Sequence, residues 1–124
     1  MRFILIIVFL VTFTFSFSQD CIIENKKERR LIKKVNSYID KGRSNSRDLY
    51  NAMDLIANPH ENTVFRSALR AQIFWLREKY FKSEKEALSV IEECPDNFPI
   101  VYYILGSISF NRKDYVSAFN YLQK

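Results

Sequence analysis

Residues 101–124, VYYILGSISFNRKDYVSAFNYLQK, decide the fold. Apolar residues recur at helical spacing in both halves of this stretch: Tyr102, Leu105, Ile108 and Phe110, then Tyr115, Ala118, Phe119 and Leu122. A polar run from Asn111 to Asp114 separates the halves. Gly106 and Ala118 supply one small residue to each half, where two helix backbones can come close together. The stretch therefore predicts two short helices folded against each other.

This pattern resembles a tetratricopeptide repeat, in which an aromatic residue, Leu-Gly, a polar turn with Asp-Tyr, an Ala and a further apolar residue follow in that order. The resemblance covers about 24 residues. It implies an all-α solenoid of helix-turn-helix pairs, whose first helices line a concave surface. It also implies that the chain binds other proteins and does no chemistry.

The remaining sequence predicts four more helices. They are expected at Glu24 to Lys41, at Asp48 to Ala57, at Thr63 to Phe81, and from the capping-box sequence Ser83-x-x-Glu86 to about Cys94. Pro99 suits the first turn of the fifth helix, and Asp114 the start of the sixth.

A weak internal repeat supports about three helix pairs. Ala52, Ala87 and Ala118 hold similar places in their helices, at separations of 35 and 31 residues, close to the repeat length of about 34. In this alignment Leu76-Arg77 stands where Leu105-Gly106 stands in the last pair. The resemblance then implies packing roles for six residues: Leu105, Gly106, Tyr115, Ala118, Ala87 and Ala52.

The same resemblance implies which residues line a partner-binding groove. In the last pair these are Tyr103, Ser107, Phe110 and Asn111, and in the middle pair Phe74, Glu78 and Phe81. Aromatic and amide side chains suit recognition of a peptide or protein segment. The alternative is that the aromatic residues belong to the core between pairs.

The first 18 residues resemble a secretory signal peptide. Met1-Arg2 precedes an apolar run, and Ser16-Phe17-Ser18 offers a cleavage site after Ser18. The alternative is a membrane anchor, but the run from Phe3 to Phe17 is shorter than the ~20 residues that span a bilayer. We expect export to the periplasm or outer membrane, a repeat domain over residues 19–124, and no later transmembrane segment.

The net charge of the chain limits the kinds of partner that it is expected to bind. Without Arg2, 18 basic residues stand against 14 acidic ones, a net charge of +4. An exported chain with so modest an excess is not expected to bind nucleic acid. A basic run, Lys26-Lys27-Glu28-Arg29-Arg30 with Lys33-Lys34, suggests either docking to acidic lipid or partner, or a plain solvent-exposed face.

The sequence contains no recognisable catalytic site, and we expect neither enzyme activity, a cofactor nor a metal. His60 is the only histidine and is expected in a surface loop, and two glycines cannot build a phosphate-binding loop. Cys21 and Cys94 are compatible either with one disulfide or with one buried and one free thiol.

These features predict a non-catalytic scaffold of the bacterial cell envelope that binds a protein or peptide in a concave groove. The order of export signal, early Cys and repeats resembles the first part of larger envelope proteins that carry a peptidoglycan-binding domain of the outer-membrane-protein-A type. Since the sequence stops at Lys124 inside a helix, we expect a longer array or protein. The alternative is a periplasmic sensory domain of a signalling receptor or transcriptional regulator, which an apolar run of ~20 residues after Lys124 would indicate.

Overall fold

A computed structural model describes residues 21–23, 25–42, 45–58 and 62–124. These residues are 77% helical and contain no strand, which confirms the all-α prediction. The six helices are α1 (Lys26–Gly42), α2 (Ser46–Leu55), α3 (Val64–Leu76), α4 (Tyr80–Glu93), α5 (Pro99–Asn111) and α6 (Tyr115–Leu122). None of them is long and apolar enough to cross a membrane. The predicted signal peptide and His60 lie outside the described residues.

Helices that follow each other in the chain pack as pairs. The closest packing is α3 against α4, α5 against α6, and α1 against α2, and the first helices also touch from pair to pair. Two apolar clusters result. One joins α1, α2 and α3 around Val35, Ile56 and Ile73, and the other joins α3, α4 and α5 around Val90 and Ile104. The core of the described residues is therefore shared between pairs.

The third helix is shorter than the sequence predicts. It was expected to reach Phe81, but α3 ends at Leu76. Glu78 has a φ of 60°, in the left-handed region where a helix cannot continue. The Glu78 N–H donates to the Trp75 carbonyl (3.1 Å) and the Lys79 N–H to the Phe74 carbonyl (2.8 Å), which forms a Schellman motif. Because this turn uses no glycine, the ordinary sequence signal for a helix end is missing.

The same motif ends α5. The Lys113 N–H donates to the Phe110 carbonyl (3.0 Å) and the Asp114 N–H to the Ser109 carbonyl (2.9 Å), and the φ of Lys113 is 64°. Glu78 thus corresponds to Lys113, a separation of 35 residues. Each of these turns is followed at once by a helix that begins with tyrosine, Tyr80 or Tyr115.

This register corrects the alignment that the sequence suggested. Glycine 106 now corresponds to Ala71 and not to Arg77, and Ala118 corresponds to Ser83 and not to Ala87. Ser83 does not cap α4: it is fully buried inside that helix, and its hydroxyl donates to the Ala71 carbonyl over 2.7 Å. The predicted capping box and the alignment of Leu76-Arg77 with Leu105-Gly106 are therefore wrong. Where α3 and α4 cross, Ala71 and Ser83 thus occupy the positions that Gly106 and Ala118 occupy in the last pair.

Among the other residues expected to pack between helices, Leu105, Ala52 and Ala87 are buried. Tyr115 is 57% exposed, because it begins α6 and lies edge-on against Phe110, with 5.4 Å between ring centroids.

Gly106 lies close to the last helix. A Cβ at this position would stand 2.7 Å from Leu122 Cγ and 3.5 Å from the Ala118 carbonyl oxygen. The sequence predicts that Gly106 faces Ala118, whereas its nearest side chain is that of Leu122, one turn further along α6. A larger residue at position 106 must displace the Leu122 side chain, and a long one also crowds the backbone of α6 at Ala118.

We expect Gly106→Leu to lower the free energy of unfolding by about 1–3 kcal/mol through overpacking. Chemical denaturation followed by circular dichroism measures this loss. The control is Asn120→Leu, which adds the same side chain at an exposed position of α6. Adding Leu122→Ala to Gly106→Leu should recover part of the loss, since it removes the nearest obstruction. Equal effects at positions 106 and 120 would contradict the close packing of α5 on α6.

An ion pair joins the first two helix pairs. Arg66 at the start of α3 is 5% exposed, and its Nε and second terminal nitrogen each donate to one oxygen of Glu28 on α1 over 3.0 Å. The Thr63 hydroxyl donates to the same carboxylate (3.1 Å) and accepts the Arg66 N–H as the cap of α3. The hydrogen bonds from Arg66 are the main reason that the pKa of Glu28 lies below its ordinary value of 4.5.

Two further arginines follow the 35-residue register. Arg77 and Arg112 both cap the end of a first helix, and each reaches the second helix of the preceding pair. The Arg77 guanidinium lies 4.2 Å from the ring centroid of Tyr50 on α2, and Arg112 forms an ion pair with Glu84 on α4. Arginine at this position thus links successive pairs.

A disulfide joins Cys21 to Cys94, with 5.8 Å between the two Cα atoms. The Asn97 amide donates to the Cys21 carbonyl (3.4 Å), and the Arg29 guanidinium donates to the Ile23 carbonyl (2.7 Å). The disulfide and the Asn97 bond fix the segment before α1 to the junction of α4 and α5, and the Arg29 bond fixes it to α1.

Candidate binding surface

A shallow groove of about 250 Å³ crosses the first helices of the pairs. We call it the first-helix groove, and its lining residues are Ile23, Ile32, Asn36, Phe65, Ala68, Leu69, Gln72 and Phe98. Phe65 of α3 and Phe98 before α5 meet edge to face there, with 5.4 Å between ring centroids. The lining is apolar except for the amides of Asn36 and Gln72, each of which can donate and accept hydrogen bonds.

An aromatic pair extends this surface towards the far end of α3. The ring centroids of Trp75 on α3 and Tyr103 on α5 are 5.9 Å apart in an edge-to-face arrangement. Tyr103 is 52% exposed, and Trp75 is partly buried. Helical spacing puts Gln72 beside Trp75 and Ser107 beside Tyr103. The surface therefore continues from an apolar groove to a pair of aromatic rings, of which that of Tyr103 is half exposed.

The groove residues proposed from the sequence do not all lie together in the structure. The four from the last pair are all on α5. Tyr103 lies on the face of α5 that contacts Trp75 of α3, and Ser107, one turn further along, lies on the same face. Phe110 shares this face by its spacing, is 59% exposed, and contacts Tyr115 at the turn of its own pair. Asn111 is exposed at the last position of α5.

The three residues taken from the middle pair lie elsewhere, because they were chosen in the wrong register. Phe74 is partly buried beneath the Lys82 ammonium of α4, which lies 5.7 Å from its ring centroid. Glu78 lies in the turn, and Phe81 is on α4 with 77% of its surface exposed. In the observed register Ala68, Gln72 and Trp75 are the counterparts of Tyr103, Ser107 and Phe110.

None of the eight residues that line the first-helix groove was among the groove residues proposed from the sequence. The missed residues of this surface include Asn36, Gln72 and Trp75. The signal for the last two was present in the repeated turn sequence, since Arg77 and Tyr80 have the same spacing as Arg112 and Tyr115. Aligning the pairs on that Arg-x-x-Tyr sequence gives the observed register. No comparable signal identifies Asn36.

A larger depression of about 640 Å³ lies over the Glu28–Arg66 ion pair. Its central charges are already matched to each other, so it offers little to a ligand. Within the described residues no group of three or more His, Cys, Asp or Glu side chains could hold a metal ion. The first-helix groove is therefore the better candidate for binding.

Comparisons with known proteins identified no relative of this chain. We found no match to the chain among protein-family models, curated proteins or solved structures.

Proposed function

We propose that this chain is a non-catalytic protein–protein interaction scaffold of the bacterial cell envelope, built on a tetratricopeptide-like arrangement of helix pairs. It holds a protein or peptide segment in the first-helix groove. The proposed export to the envelope rests on the signal-like residues 1–18 and fits a disulfide, which persists in oxidising compartments. The proposed arrangement is supported by the pairwise packing and by the shared Schellman turns of the last two pairs.

The observation that carries the proposed function is the composition of the first-helix groove. Its apolar floor can take up side chains of a bound segment, and the amides of Asn36 and Gln72 can pair with that segment's backbone groups. The partly buried ring of Trp75 and the half-exposed ring of Tyr103 stand beside them. Rigid aromatic side chains of this kind supply much of the energy of protein interfaces.

The chain carries its own reporter for this proposal, because Trp75 is its only tryptophan. Peptides that bind the chain can be selected from a displayed peptide library. A peptide bound in the groove should then change the emission of Trp75, and titration gives its Kd.

We expect Tyr103→Ala to weaken such a peptide by about 2 kcal/mol, close to thirtyfold in Kd, as for a central interface aromatic. Gln72→Ala should weaken it less, by about 1 kcal/mol for one lost hydrogen bond. The matched control is Phe81→Ala, which removes an exposed aromatic ring from α4 on another surface. Circular dichroism checks that each variant remains helical. If Phe81→Ala weakens binding as much as Tyr103→Ala, the first-helix groove is not the binding surface.

A further inference from the structure

The outer face of α1 is a cationic surface that the groove does not use. Five basic residues define it, and we call it the basic ridge: Lys26, Lys27, Arg30, Lys33 and Lys34. All five are exposed. At 100° per residue they fall within an arc of about 120°, and they extend about 12 Å along the helix. The opposite face of α1, with Val35 and Ile39, is buried in the core.

The positive charge of the ridge is not offset by Glu28, because that carboxylate pairs with Arg66 of α3. In the sequence, Glu28 lies between these lysines and arginines and would be expected to offset them. In the structure it turns away from the ridge and is held by the buried guanidinium of Arg66. Within the described part of the chain, none of the five ridge residues forms an ion pair with a carboxylate. Asp40, the next acidic residue of α1, lies beyond this arc.

We propose that the basic ridge docks the protein on an anionic lipid surface, with the phosphate-bearing headgroups as its ligands. Charge complementarity is the first reason. A flat surface can meet all five side chains together, since they project from one side of a straight helix. The ridge binds by electrostatics and not by insertion, because the apolar face of α1 is already buried.

Two features favour lipid over an acidic protein segment. Four of the five residues are lysine, whose mobile ammonium suits disordered headgroups, whereas arginine dominates fixed, bidentate recognition of carboxylates. Ile22 lies just before the ridge and is 62% exposed. Such an exposed aliphatic side chain, four residues before Lys26, can rest at the headgroup boundary of a bilayer, whereas an acidic protein segment offers it no apolar environment.

The experiment measures binding of residues 19–124, which include the whole described core, to sedimented vesicles. Wild-type protein is compared on phosphatidylcholine vesicles and on vesicles with about 30% phosphatidylglycerol. Each ridge charge should add roughly a fivefold factor to binding of the anionic vesicles. The variant Arg30→Gln, Lys33→Gln, Lys34→Gln should therefore bind them on the order of 100-fold more weakly. Binding of the wild type should fall steeply with salt.

The matched control removes three exposed lysines away from α1: Lys79→Gln, Lys85→Gln and Lys124→Gln. It has the same net charge as the ridge variant, and we expect it to lose less than about fivefold, the contribution of one charge at the surface. Equal losses in the two variants would show attraction by net charge alone and would overturn the proposal. So would a wild type that binds both kinds of vesicle equally, or one that binds poly-glutamate and not the anionic vesicles. These outcomes leave the first-helix groove untouched.

Discussion

Removing the cross-link between Cys21 and Cys94 is expected to lower the free energy of unfolding by about 4 kcal/mol. The bond closes a loop of 73 residues, and in the chain-entropy model a loop of that length restricts the unfolded chain by about this amount. Cys21→Ser is the variant of choice, because it keeps the buried Cys94 side chain and so opens no cavity. Urea denaturation followed by circular dichroism gives the loss.

Two controls accompany this prediction. Wild-type protein in excess reductant should match the Cys21→Ser variant, since both lack only the bond. Thiol labelling of the oxidised protein after denaturation should detect no free cysteine. Two labelled cysteines per chain, or equal stability with and without reductant, would contradict it.

Glu28→Ala is expected to lower the free energy of unfolding by about 3 kcal/mol, because it removes the carboxylate that accepts two hydrogen bonds from the buried Arg66 guanidinium. The Glu84→Ala variant is the control. Its partner Arg112 is half exposed, and an exposed pair contributes only about 0–1 kcal/mol. Denaturant midpoints of the two variants therefore separate a buried ion pair from a surface one. Similar losses would mean that Arg66 does not depend on Glu28.

The same pair gives a pH dependence with a defined sign. The pKa of Glu28 in the folded protein is lower than its ordinary value of 4.5, so folding favours the ionised carboxylate. Its stabilising contribution is fully present above pH 4.5 and is lost as the pH falls through the lower, folded-state pKa. The difference in stability between wild type and Glu28→Gln should therefore be constant near neutral pH and shrink below about pH 4.5. A difference that grows on acidification would contradict the assigned pKa shift.

The helical class and the pairing of helices could be predicted from the sequence, because apolar spacing reports directly which faces are buried. Pro99 in the first turn of α5 and Asp114 at the cap of α6 were also readable, since both residues act within their own turn. The end of α3 could not be read. Glu78 takes a left-handed conformation there that is common only for glycine, and the two hydrogen bonds of the Schellman turn accompany it.

The candidate site suffered from that one missed turn. Once α3 was drawn too long and the pairs were misaligned, Glu78 and Phe81 took the places of Gln72 and Trp75 in the proposed groove. Ser83 also misled the alignment of the pairs. Its sequence context is that of a helix cap, but in the structure it lies where α3 and α4 cross. The role of Glu28 was also beyond the sequence, since its partner Arg66 is 38 residues away.

The disulfide also decides how the fold would carry mechanical load. A pull between the segment before Cys21 and the end of the chain passes directly from Cys21 to Cys94, so the first four helices bear no tension. Between Cys21 and Lys124, only the stretch after Cys94 can lengthen, to about 100 Å when fully extended. The last helix pair would then act as a short extensible tether. The basic ridge and the part of the first-helix groove formed by α1 and α3 would keep their shape under force.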